Sequence, residues 1–132
     1  MLNRIHTVVL LLLITLSPLA QSQEGHPLVG TWQGNWGDDN SLLTVIMTWD
    51  GQRISGIVNP GPDSSELASA ALDSSQWAVE MEMPVTDSSG NTANLMLKGN
   101  LNNVGSRMRS LSGTWSYRGR NGPITLGRQN GQ

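Results

Sequence analysis

The chain has 132 residues, five tryptophans, no phenylalanine and no cysteine. Lack of cysteine excludes disulfides, thiolate metal sites, a cysteine nucleophile and a lipid-modified thiol, so the hydrophobic core alone must hold the fold. A formal charge of −2 carries none of the basic excess that nucleic acid selects, and no nucleic-acid partner is expected.

In chain order, residues 1–22 read as a secretory signal peptide. Arg4 precedes an apolar run over 8–16 that only Thr15 interrupts. Ser17-Pro18-Leu19-Ala20-Gln21-Ser22 then offers small residues for cleavage after Ala20 or Ser22. The run is far short of the roughly 18–20 residues that a spanning helix needs, so export with cleavage is expected over an N-terminal anchor, with no stable membrane insertion. The expected location is periplasmic or secreted. Residues 23–132 have the length of one domain.

After a polar leader, Leu28-Val29-Gly30-Thr31-Trp32-Gln33-Gly34-Asn35-Trp36 predicts a strand with Trp32 and Trp36 on one face. Gly37-Asp38-Asp39-Asn40 turns it. Residues 41–50 form the next strand, with Leu43, Val45, Met47 and Trp49 on one side. Leu42 and Ile46 opposite suggest cover on both faces. Asp50-Gly51 marks a hairpin into 52–59. Residues 59–65 hold two prolines and a glycine and must be loop, and the alanine-rich 66–74 suits one helical turn or a weak edge strand, the strand being favoured.

Residues 76–84 give the cleanest alternation, with Trp77, Val79, Met81 and Met83 against Ala78, Glu80, Glu82 and Pro84. A turn at 86–91 leads into 92–101, where Ala93, Leu95, Leu97 and Gly99 face inward. A long, mobile connection carrying Arg107 and Arg109 precedes Leu111-Ser112-Gly113-Thr114-Trp115-Ser116-Tyr117. Arg118-Gly119-Arg120-Asn121-Gly122 turns into a last strand over 123–128. Seven to eight short strands without a long helical pattern predict an all-β antiparallel up-and-down barrel, or a strongly curved sandwich. Closure is favoured because nothing else covers the edges.

Charge is unevenly spread. All ten acids lie between Gln23 and Asp87, and six of the eight bases follow Ser88. The two sets are expected to neutralise each other across strands rather than form a face for an anionic partner.

Gly30-Thr31-Trp32 opening the first strand, with Arg128 ending the last, resembles the signature of the lipocalin and avidin superfamily of calycin-like barrels. The resemblance implies that the terminal arginine packs over the first-strand tryptophan, a cation–π contact tying first strand to last. The layout also resembles small secreted bacterial β-domains with Gly-Thr-Trp at both ends, matched here by Gly30, Trp32, Gly113, Trp115 and Arg128 as a structural signature. The polar ligand set of avidins does not follow the first strand, and biotin binding is not carried over.

Catalytic constellations are weak. Of the two histidines, only His26 follows the predicted signal, and no serine has a nucleophile-elbow context. Asp38-Asp39-Asn40 and Asp87 to Asn91 suit ordinary turns better than calcium sites. Glu80 and Glu82 share a strand face and do not oppose each other as a glycosidase pair must. No enzyme activity, metal or cofactor is expected.

The expected function is binding of a small apolar ligand or of an extracytoplasmic protein. The candidate ligand-binding set is Trp36, Trp49, Trp77, Met47, Met81 and Tyr117, and Trp36 is expected as an exposed rim aromatic. A glycan- or envelope-binding module using exposed tryptophans and the arginine turn is the alternative, and a filled structural barrel is a third reading.

Overall fold

A computed structural model describes residues 25–129. The predicted signal peptide at 1–22 lies outside them. Among the described residues the chain forms nine strands: β1 Gly30–Trp36, β2 Ser41–Trp49, β3 Ile54–Val58, β4 Ser65–Glu66, β5 Ser69–Asp73, β6 Ala78–Thr86, β7 Thr92–Asn102, β8 Ser110–Tyr117 and β9 Arg120–Arg128. They make one antiparallel sheet in the order β4-β3-β2-β1-β9-β8-β7-β6-β5, curled into a half-barrel. No helix among these residues is long and apolar enough to cross a membrane.

The count of nine exceeds the expected seven to eight because the segment over 65–73 is divided. Its first part pairs with β3, through Ile57↔Glu66 and Val58↔Ser65. Its second part pairs with β6, through Ser69↔Glu82 to Asp73↔Ala78. Between them the Leu67 N–H donates to the Gly56 carbonyl at 3.0 Å, and the Ala68 N–H donates to the Glu82 carbonyl at 2.9 Å. One short segment thus serves both edges of the sheet.

Alternation dictates the core. Trp32, Leu43, Val45, Met47, Val79, Met83, Leu95, Leu97 and Leu126 point to the concave side and have essentially no accessible surface. A void large enough for water would leave such side chains with accessible area, so the centre of the sheet's concave face is packed with side chains. The convex face is polar apart from scattered exposed residues. Leu42 is 60% exposed, which corrects the expectation of cover on both faces of β2.

Three further boundaries differ from expectation. Trp77 does not belong to β6. It lies in the preceding turn with φ +54°, an unusual conformation for a bulky residue, and its carbonyl accepts the Leu101 N–H at 2.8 Å. The β8–β9 turn contains only Arg118 and Gly119, at φ +49° and +79°. Positive φ at both central residues is the two-residue hairpin geometry that matches strand twist, so β9 starts at Arg120 rather than 123. The connection over 103–109 is tethered, because Arg109 donates from Nε to the Val104 carbonyl and from Nη1 to the Pro27 carbonyl, each at 3.0 Å.

Candidate functional site

Antiparallel connectivity sends every second turn to the same end of the sheet. At one end the β1–β2, β6–β7 and β8–β9 turns gather around a cleft of about 430 Å³. Its aromatic floor comes from three strand ends. Trp36 closes β1, while Trp115 and Tyr117 are inward positions of β8. The Trp36 ring meets Trp115 edge-on at 5.6 Å and Tyr117 edge-on at 4.8 Å between centroids. Gly122, directly across from Trp115, gives that indole its place. A Cβ at 122 would come within 2.8 Å of Trp115 Nε1.

The walls are polar turns with internal scaffolding. Asp87 Oδ1 accepts the N–H groups of Ser89 and Asn91, both at 3.0 Å, as short acidic side chains do in turns. Ser41 Oγ donates to Asp39 Oδ1 at 2.8 Å. Hydrogen bonds from Ser88 and Ser41 hold the Asp39 carboxyl below the usual aspartate range. The Ser88 bond also links the β1–β2 turn to the β6–β7 turn. Arg118 faces Asp87 at 3.8 Å, and Arg120 pairs with Asp38. Burial, then the charge of Asp87, pushes the Tyr117 phenol upward, and its hydroxyl donates to the Asn91 carbonyl at 2.9 Å.

Two donors remain. The indole N–H groups of Trp36 and Trp115 have no acceptor among the described residues, yet neither nitrogen is sealed from solvent. Both rings line the cleft. By contrast, Trp32 Nε1 is used internally and donates to the Leu28 carbonyl at 2.9 Å. The cleft therefore combines arginine donors and aspartate acceptors with an aromatic floor whose two indole N–H groups are unpaired among the described residues. Among the described residues no group of three or more histidines or carboxylates could hold a metal ion.

The candidate set is split between the two ends. Trp36 and Tyr117 meet in the cleft, joined by Trp115, which the sequence pattern placed in the structural signature. Trp36 is only 6% exposed, so it is a floor residue and not the exposed rim ring expected. Trp49 and Trp77 lie half-buried at the opposite end, where the His26 ring stacks on Trp49 at 4.6 Å between centroids. Met47 and Met81 are buried between the ends and face no opening.

The signature residues do converge. Arg128 stands directly opposite Trp32 in the β1–β9 ladder. Its Nε donates to the Val29 carbonyl at 2.9 Å, over Gly30, where an added Cβ would sit 2.6 Å from Nε. No ring–cation contact joins Arg128 to Trp32 among the described residues, so the tie between the strands is the ladder and this hydrogen bond. Of the polar members of the cleft, the sequence points only to the arginine turn, as part of the glycan-binding alternative; Asp and Ser in the other turns are ordinary there. Only the fold brings the three turns to one place.

No family model, no curated protein and no solved structure matches the chain.

Proposed function

We propose that this chain is an exported, non-enzymatic binding domain whose ligand is a hydroxyl-rich molecule, of the class of an envelope glycan, seated in the cleft at the turn-rich end. The observation that carries this reading is one cleft lined by Trp36 and Trp115, whose indole N–H groups are unpaired among the described residues, together with Asp38, Asp39, Arg118 and Arg120. A sugar offers adjacent hydroxyls that both donate and accept, together with an apolar C–H face. Neutral donors, carboxylate acceptors and aromatic surface suit that combination, whereas a fatty acid would bring a carboxylate of like charge beside Asp38, Asp39 and Asp87.

An apolar ligand in the interior is the less supported reading, because the inward side chains already fill it. A calycin-like closed barrel is part of the proposal. Its support is the meeting of Gly30 and Trp32 with Arg128 at one end, and the segment over 65–73 shared by both sheet edges.

The test is tryptophan fluorescence during titration with soluble oligosaccharides and, separately, fatty acids. A saturable response to an oligosaccharide is expected. Trp36→Phe keeps a ring and removes one donor, and should weaken it about three- to tenfold, the worth of one hydrogen bond. Saturation by a fatty acid alone, unaffected by Trp36→Phe, would move the ligand elsewhere in the molecule.

A further inference from the structure

The end of the sheet remote from the cleft carries a different surface. Three arginines gather there from two elements. Arg107 and Arg109 belong to the connection between β7 and β8, and Arg128 closes β9. The Arg128 N–H donates to the Arg109 carbonyl at 2.9 Å, and Arg128 Nη1 reaches the Arg107 carbonyl at 3.5 Å. Among the described residues none of the three has a carboxylate partner. Arg109 and Arg128 are held by neutral carbonyls, which fix the position of a guanidinium and leave its charge intact.

Among the described residues Asp50 and Asp73 lie at this end, both held ionised by hydrogen bonds within their own turns and neither paired with the three arginines. Asp50 accepts the N–H groups of Gln52 and Arg53 and faces the Arg53 charge, while Asp73 accepts from Ser75. Cross-strand neutralisation, expected of the whole basic half, holds for Lys98 with Glu80 and for the two cleft arginines. It does not extend to this cluster. Between Arg107 and Arg109, Met108 is 59% exposed, with its N–H fixed to Ser106 Oγ at 3.0 Å.

We infer that this end docks on an anionic membrane surface, with Arg107, Arg109 and Arg128 facing lipid headgroups and Met108 entering the interface. Charge complementarity selects an anionic partner. The single apolar side chain presented amid the cations selects a lipid surface over a soluble polyanion, for which a protruding methionine has no use. Such docking is peripheral and reversible, involves no spanning segment, and leaves the cleft at the far end facing away from the bilayer.

The experiment is co-sedimentation of the purified protein with vesicles of phosphatidylglycerol and phosphatidylcholine in equal parts, against vesicles of phosphatidylcholine alone. Binding is expected only to the anionic vesicles and should fall as salt is raised. Arg107→Gln should lower the partition coefficient about fivefold, and Met108→Ser should lower it as well. Both side chains are exposed, so thermal melts of the variants should match the parent. Absence of binding to anionic vesicles would overturn the inference. So would binding that Met108→Ser leaves unchanged, or equal retention on a soluble polyphosphate, which would mean a general polyanion site. Oligosaccharide titration of Met108→Ser reads the cleft separately.

Discussion

Gly30 and Arg128 illustrate how one residue's lack of a side chain specifies another's position. Gly30 has φ +132°, a region that side-chain-bearing residues rarely adopt, and the Arg128 guanidinium occupies the space its Cβ would fill. Gly30→Ala should therefore destabilise the domain by about 1–3 kcal/mol, through overpacking and backbone strain together. Arg128→Ala should cost about 1.5–3 kcal/mol, because it removes a charge-assisted hydrogen bond to Val29. In the double variant the clash is gone, so the two losses should fall short of additive by about 1 kcal/mol, measured by urea denaturation. Strict additivity would mean that the guanidinium does not rest on Gly30.

At the scale of elements, the turns and the leader do most to define the two ends. The leader is anchored by His26, whose ring lies on Trp49 and whose Nδ1 accepts the Leu28 N–H at 3.1 Å. That bond requires an unprotonated Nδ1, and burial lowers the pKa of His26 below its ordinary value. The histidine's depressed pKa means the unfolded chain takes up its proton first as pH falls. The leader's docking is thus complete above the ordinary histidine range and weakens as pH drops through it and on through the lowered folded value. Trp49 emission should change over that window, and His26→Gln should abolish the change. A persistent transition in His26→Gln would assign it to another group. Alternation made β2, β6, β7 and β8 legible almost residue by residue. The two-residue turn at Arg118-Gly119 and the left-handed Trp77 were not legible, because both depend on hairpin pairing that sequence periodicity does not contain.

Across the whole molecule, the organising fact is that a curled sheet has two ends, and consecutive turns alternate between them. The two sides of the curl meet along the 65–68 segment, where Leu67 donates its N–H to Gly56 of β3, Ala68 donates its N–H to Glu82 of β6, and Ser65 Oγ of β4 donates to the Pro84 carbonyl of β6. Hydrogen exchange checks this directly. Both amides should be protected to the degree of their neighbours in β3 and β6, by about a hundredfold or more over the unfolded chain. Free exchange at both would leave the half-barrel open along that seam. Ion pairing differs between the ends as well. Arg118 and Arg120 meet aspartates in the cleft, whereas Arg107, Arg109 and Arg128 at the other pole have no carboxylate partner among the described residues.

Three things were legible in the residues alone: the all-β class of fold, the inward face of the long strands and the partnership of the first strand with the last. The first two follow from period-two alternation, a local property of the chain, and the third is what the resemblance of Gly30-Thr31-Trp32 and Arg128 to calycin-like barrels implies. The sequence also pointed to Trp36 and Tyr117 without indicating that Trp115 would join them, and it grouped Trp49, Trp77, Met47 and Met81 with them. The tertiary structure alone decided that the tryptophans divide between two ends, that the interior is filled, and that three unremarkable turns converge on one cleft. Convergence depends on register and curl, which are set by pairings between residues far apart in the chain, and no local pattern encodes them.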